Sequence, residues 1–186
     1  MAVAAQTAAP PPVTAADRVL GRADAPVTVI EYASFVCSHC ADWHTGVYPG
    51  FKARFVDTGQ VRLVFRNFPT QPVQVGARAA GIARCAAPAR FFDVASSFMK
   101  GQAALIDGGP IGTWFGDAVA VSGKTQAEID ACLADPATLA GIRAEVEGAQ
   151  AAGVPGTPAF FVNGRRVSDN SLEGLAAAIQ PLLPRS

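Results

Sequence analysis

Val27-Thr28-Val29-Ile30-Glu31-Tyr32-Ala33-Ser34 runs directly into Phe35-Val36-Cys37-Ser38-His39-Cys40. The first eight residues are rich in β-branched and aromatic side chains and short enough for a buried strand, with Asp24 and Pro26 marking its start. The two cysteines fall where the pattern changes to that of a helix, read from Ala41 to about Thr58, with Pro49 and Gly50 kinking or briefly breaking it. Val61, Leu63 and Phe65 then alternate as a second strand. Strand, helix, strand is the βαβ unit, whose crossover is right-handed almost without exception, so the chain is read as an α/β protein.

Beyond Arg66-Asn67-Phe68-Pro69 no segment alternates like a strand for some eighty residues. Helices are predicted around Val73 to Ala86, at Arg90 to Lys100 with Phe91, Val94, Ala95 and Phe98 on one face, and at Ile111 to Val121. Thr125-Gln126-Ala127-Glu128 has the spacing of a capping box and predicts a short helix through Ile129 and Cys132. Asp135 and Pro136 read as an N-cap and first residue, opening a helix whose apolar stripe is Leu139, Ile142, Val146 and Ala149. Ala159 to Val162 then reads as a strand, Asn163-Gly164 as a hairpin turn, and Arg165 to Val167 as the returning strand. Asn170 with Glu173 is expected to cap a last helix carrying Leu172, Leu175 and Ile179. The organisation expected is a flexible Ala/Pro-rich N-terminus over 1–24, with no packed structure before about Asp17, a mixed domain from 25–69 and 149–186, and an all-helical insertion over 70–148.

Fifteen basic and fifteen acidic residues cancel, and neither sign is bunched, which argues against binding to nucleic acid or to an anionic membrane surface. Half of the 186 residues are hydrophobic, yet Pro, Gly, Arg or Asp interrupts every apolar segment before it reaches membrane-spanning length. Ala2 to Ala9 lacks a positive flank and is too short for a secretory signal; with Pro10, Pro11 and Pro12 it suits the start of a mature exported chain or an ordinary disordered terminus.

Cys37 and Cys40 stand at the start of a helix, near unsatisfied N–H groups and the positive end of the helix dipole, an environment that stabilises a thiolate. A thiolate attacks disulfides, and two intervening residues let the second sulfur resolve the mixed disulfide the first one makes. Cys37 is therefore the expected nucleophile and Cys40 the resolving thiol. His39, beside the reactive sulfur, is expected to favour the thiolate and hence the reduced dithiol, the mark of an oxidant; the alternative is an exposed loop histidine. His44 reads as a surface or core side chain rather than a catalytic one. The rival for a C-x-x-C is a zinc half-site, but zinc needs two further ligands, while Cys85 and Cys132 stand alone and both histidines lie on one local segment. No metal or other cofactor is expected. Val154-Pro155-Gly156-Thr157-Pro158 before the third strand places a Thr-Pro bond where a cis peptide is tolerated.

These segments together resemble the thioredoxin superfamily and, within it, the bacterial DsbA-like thiol-disulfide oxidoreductases, from about Pro26 to the end of the chain. The resemblance implies a thioredoxin fold interrupted by the helical insertion. It implies that Pro158 is a cis-proline facing the active-site sulfurs, and that Thr157 offers backbone groups to an extended substrate. It also implies that Glu31 is buried beneath the site with a raised pKa and exchanges protons with Cys40. Ser38, where proline is often found, and Thr157, where valine often is, depart from the best-known oxidase pattern and leave isomerase and reductase directions open.

Cys85 and Cys132 are either free buried thiols or a structural disulfide closing about fifty residues, which would contribute about 2–4 kcal/mol, and some DsbA-like proteins have such a second pair. A disulfide would also place the protein outside a reducing cytosol. The function expected is a periplasmic oxidase passing the Cys37–Cys40 disulfide to unfolded exported proteins and reoxidised by a membrane partner. A disulfide isomerase or reductase of the same fold is the alternative, and a non-catalytic peptide- or metal-binding module the second. With only about two dozen residues before the first strand, a monomer is expected.

Overall fold

The computed structural model describes residues 8–184. Two parallel strands, β2 (Val27–Ala33) and β3 (Val61–Asn67), form the centre of a five-stranded sheet and are joined by α1 (Ser38–Gly46), α2 (Tyr48–Phe51) and a π-helical turn at Lys52–Val56. β1 (Arg18–Leu20) lies antiparallel to β3, β4 (Ala159–Val162) antiparallel to β2, and β5 (Arg165–Val167) antiparallel to β4, giving the order β1-β3-β2-β4-β5. Asn163 and Gly164 link the last two strands with φ of 45° and 80°, the left-handed pair that a two-residue hairpin turn requires. Pro49 falls in the first turn of α2, where a missing N–H is harmless.

The central strands are buried on both faces, which is why they read as near-continuous apolar runs. Val29, Leu63 and Phe160 face Trp43, Phe51 and, from the last helix of the chain, Leu175 and Ile179, whereas Ile30, Tyr32, Val64 and Phe161 face Ala149, Ala152 and Val154. Between β3 and β4 the chain inserts five helices: α3 (Val73–Cys85), α4 (Phe91–Ile106), α5 (Ile111–Ala120), α6 (Gln126–Ala134) and α7 (Pro136–Ala151); α8 (Leu172–Ile179) closes the fold. The insertion has its own core of Phe91, Phe98, Trp114 and Ile129, continuous with Phe35 of the cysteine loop, which stacks on Phe65 at 5.3 Å and lies 5.0 Å from Phe98. The α/β class, the thioredoxin fold and the helical insertion are thus as the sequence implied.

Local signals located the α6 and α7 starts: Thr125 and Glu128 bond reciprocally, and the Asp135 carboxylate accepts from the N–H of Ala137. Other boundaries moved. α4 continues past Lys100 to Ile106 because Gly101 is a packing site; a Cβ there would come within 2.9 Å of Trp114, whose Nε1–H donates to the Phe98 carbonyl at 2.9 Å. The cap of α8 is Ser171, whose hydroxyl accepts from the Gly174 N–H, while the Asn170 carbonyl accepts instead from Trp43 Nε1–H at 2.9 Å.

Packing also begins earlier than Asp17. Pro10 is buried, and the Arg66 guanidinium donates to the Pro11 and Pro12 carbonyls at 2.8 and 3.1 Å while pairing with Asp17 at 2.7 Å. Gly148 makes room for this strap, since a Cβ there would meet Pro11 at 3.0 Å. The strap then feeds β1, an edge strand of three residues with no alternation long enough to read. Residues 1–7 of the expected flexible terminus lie outside the described residues.

Candidate active site

β2 ends at Ala33, and a turn closed by the Cys37 N–H donating to the Ser34 carbonyl at 3.2 Å carries the chain to the first residue of α1. Cys37 is the N-cap of that helix, in extended conformation and without a side-chain capping bond, so its sulfur occupies the position a capping oxygen would take. Both cysteines are free thiols; Cys37 is half-buried and Cys40 is buried completely. Opposite them the Thr157–Pro158 peptide bond is cis, and the Cys37 thiol donates to the Thr157 carbonyl at 3.3 Å across 120 residues of sequence.

This arrangement divides the acidity of the two sulfurs. A hydrogen bond from the Cys40 thiol is the largest influence lowering Cys37; burial opposes it, and the Thr157 hydroxyl and the N–H groups of Cys40 and His39 add to it, bringing the thiol down to about 5. The Thr157 hydroxyl is buried and has no hydrogen-bond partner while Cys37 is protonated, so ionisation of the sulfur gives it one. Cys40 moves far the other way, first because burial excludes its charge, then because it donates to Cys37 and feels the charges of Cys37 and Glu31.

Glu31, in the middle of β2 opposite Phe65 and Phe160, has no solvent exposure. Its carboxylate meets His44 Nε2 at 3.0 and 3.1 Å, close enough for a single ring N–H to be shared between both oxygens. His44 is itself buried, one helical turn beyond Cys40 on α1, with its Nδ1 unpartnered and its ring 5.1 Å from that of Tyr48. His44 is thus a core side chain, but one tied to the acid beneath the cysteines. Its i+4 spacing from Cys40 is the signal that could have found it. His39 behaves otherwise than expected: its side chain is exposed, its ring makes no hydrogen bond among the described residues, and its influence on the sulfur is exerted through its backbone N–H. A ring at the second position of a helix points outward, whereas the amide at that position points back along the axis toward the cap. Ser38 is exposed at the first position of α1.

Cys85, the last residue of α3, and Cys132 of α6 are joined in a disulfide, S–S 1.98 Å, with the Thr138 hydroxyl 3.8 and 3.5 Å from the two sulfurs. Among the described residues no group of three or more His, Cys, Asp or Glu side chains is placed to hold a metal ion.

A thiol at a helix start faces a cis-proline loop, and the sequence profile of the thioredoxin family, described as Thioredoxin, matches residues 14–181. The chain belongs to the thioredoxin family. Within that family it is DsbA-like. A Rickettsia bellii protein, named provisionally as a protein-disulfide oxidoreductase, is 30% identical over 182 residues, covering 91% of this chain and 66% of that protein. The chain spans 60–62% of the length of three similarly named Rickettsia relatives. The crystal structure of Wolbachia pipientis alpha-DsbA1 superimposes with a TM-score of 0.79 at 25% identity, over 92% of each chain. That of a protein-disulfide isomerase from Novosphingobium aromaticivorans gives 0.76 at 25% identity, over 95% of this thioredoxin-family chain and all of the other.

Proposed function

We propose that the protein is a thiol-disulfide oxidase that donates a Cys37–Cys40 disulfide to cysteine-containing exported polypeptides. The observation that carries this reading is the split between the two sulfurs, with Cys37 held near 5 and Cys40 kept protonated. Ionisation of Cys37 stabilises the dithiol form, and a pair whose reduced form is stabilised gives its disulfide away.

In the oxidised enzyme a substrate thiolate attacks Cys37 Sγ, the more accessible sulfur of the pair. The new substrate–Cys37 disulfide forms as the Cys37–Cys40 bond breaks, and Cys40 leaves as a thiolate. Its buried position requires a proton at once, and the Glu31–His44 pair supplies it. A second substrate thiolate then attacks its own sulfur in the mixed disulfide, and Cys37 departs as the thiolate that the helix start and Thr157 stabilise. Two substrate thiols are oxidised to one disulfide and the enzyme pair is reduced to the dithiol. The cis peptide loop holds the incoming chain by strand-like pairing at Thr157, beside Pro158. Reoxidation falls to a membrane redox partner, and the compartment is an oxidising one such as the periplasm, in keeping with the Cys85–Cys132 disulfide.

An isomerase or reductase of the same fold is the second reading, favoured by Thr157 and by the name of the Novosphingobium neighbour. Equilibration of the Cys37–Cys40 pair against glutathione separates them. A reduction potential of about −120 mV supports the oxidase, and one of about −270 mV overturns it in favour of a reductase or isomerase.

A further inference from the structure

The loop that carries Cys37 is held from three sides. Its own turn is closed by Cys37 N–H to the Ser34 carbonyl, the Ser34 hydroxyl accepts from the N–H and hydroxyl of Thr70 at 3.1 and 3.0 Å, and the third hold comes from the insertion. Gln102 of α4 is only 2% exposed, and its side-chain amide nitrogen donates to the Phe35 carbonyl at 2.6 Å and to the Cys37 carbonyl at 3.1 Å. One NH₂ group therefore uses both of its protons on the two carbonyls that flank Val36. The Cys37 carbonyl is also the acceptor for the N–H groups of Cys40 and Ala41, each at 3.1 Å, which form the first hydrogen bonds of α1.

We propose that Gln102 is a positioning residue for the Cys37 sulfur: by clamping the carbonyls on either side of Val36 it fixes the turn that aims the first N–H groups of α1 at that sulfur. The inserted helical block thereby sets the reactivity of a cysteine that the thioredoxin domain carries. A buried Gln at this place is otherwise unexplained, because an apolar residue would suit the cavity it lines with Val36, Val75, Leu105 and Ile111 better, and the amide persists only where both protons have partners. Without the clamp the Phe35 carbonyl loses its donor inside the protein and the Cys37 carbonyl keeps only the helix N–H groups, the turn relaxes, and the N–H groups of His39 and Cys40 no longer converge on the sulfur. Among the described residues no other side chain of α3 to α7 is hydrogen-bonded to residues 34–40.

This inference rests on Cys37 being the ionised nucleophile, and the test distinguishes the two. The fully reduced Cys37–Cys40 pair, with Cys85–Cys132 intact, is titrated by the ultraviolet absorbance of the thiolate in wild type, Gln102→Met, Gln102→Asn and Trp114→Phe proteins. Met fills the same space without donors; Asn keeps the amide but is too short to span both carbonyls. Either substitution is expected to raise the Cys37 midpoint by about one unit, a tenfold loss of thiolate at a pH well below it. Trp114→Phe, which loosens α4 while leaving Gln102 in place, is expected to leave the midpoint where it is. An unchanged midpoint in either folded Gln102 variant, or a shift of the same size in Trp114→Phe, overturns the proposal. A wild-type midpoint near the ordinary value for a thiol would instead overturn the reading of Cys37 as the activated sulfur.

Discussion

Cys37 and Cys40 stand at the beginning of a helix as free thiols, whereas Cys85 and Cys132, at the end of one helix and within another, are joined to each other. The first pair faces N–H groups, a thiol and the Thr157 carbonyl and hydroxyl, and its outer sulfur is open to solvent. The second has as its polar neighbour one hydroxyl, that of Thr138, and ties α3 to α6. Cysteine supplies the same atom in both places. What differs is whether the surroundings stabilise its charge, and a sulfur whose thiolate is stabilised is one that exchanges.

The sharpest way to break this contrast is to exchange the roles by mutation. Cys37→Ser is expected to abolish dithiol turnover in a disulfide-exchange assay; turnover that survived the substitution would remove Cys37 as the nucleophile, and a wild-type protein without turnover would be a binding module in which the C-x-x-C is incidental. Under the proposed proton transfer Glu31→Gln leaves Cys40 without its donor, and should slow formation of the mixed disulfide on the order of a hundredfold, as followed by stopped-flow fluorescence. An unchanged rate would mean that water reaches Cys40.

The double variant Cys85→Ala, Cys132→Ala should do the reverse, losing about 2–4 kcal/mol in denaturant unfolding while the rate of exchange at Cys37 stays within about twofold. Coupled loss of both would show that the two pairs are not independent. A smaller effect separates the redox states. The Cys37 thiol ionises at about 5 in the folded dithiol and near its ordinary 9.0 in the unfolded chain, so between these values the unfolded state binds more protons and stability rises with pH. The contribution is complete above about 9 and is lost as the pH falls through about 5; the disulfide form lacks it. The unfolding free energy of the reduced protein, read from thermal melts, is therefore expected to gain on that of the oxidised one from pH 5 to pH 8, by at most a few kcal/mol after discounting for the solvent-exposed side of the sulfur. Parallel melting curves for the two states would contradict the acidity assigned to Cys37. The least effect is expected from Thr125→Ala, which removes the capping box of α6 near Cys132 and should cost about 1 kcal/mol without touching the Cys37 titration.

Much of this was legible along the chain. β2, β3, β4, the hairpin turn, the capping box and the Asp135–Pro136 start depend on residues within a few positions of one another, and periodicity and capping chemistry report such local constraints directly. The thiol at the helix start was legible for the same reason, as was the Thr157–Pro158 element once it was set beside the cysteines. Less could be read where the deciding partner is distant. The strap from Pro10 is packed because Arg66 reaches it, α4 outlasts Gly101 because Trp114 fills the space a Cβ would take, and His39 gives its amide rather than its ring because the helix axis turns the ring outward.

An α/β chain with a helical insertion and a C-x-x-C at a helix start follows from contiguous residues alone, because strand and helix periods and the helix dipole are local properties. Which groups meet the sulfurs depends on contacts between distant elements. Glu31 finds His44 by the packing of α1 on β2, Cys37 finds Thr157 across 120 residues, and Gln102 finds the cysteine loop from a helix that local pattern placed but could not orient. Those encounters depend on how separately folded elements pack against one another, and that geometry is set by the shapes of whole faces rather than by any neighbouring stretch of sequence.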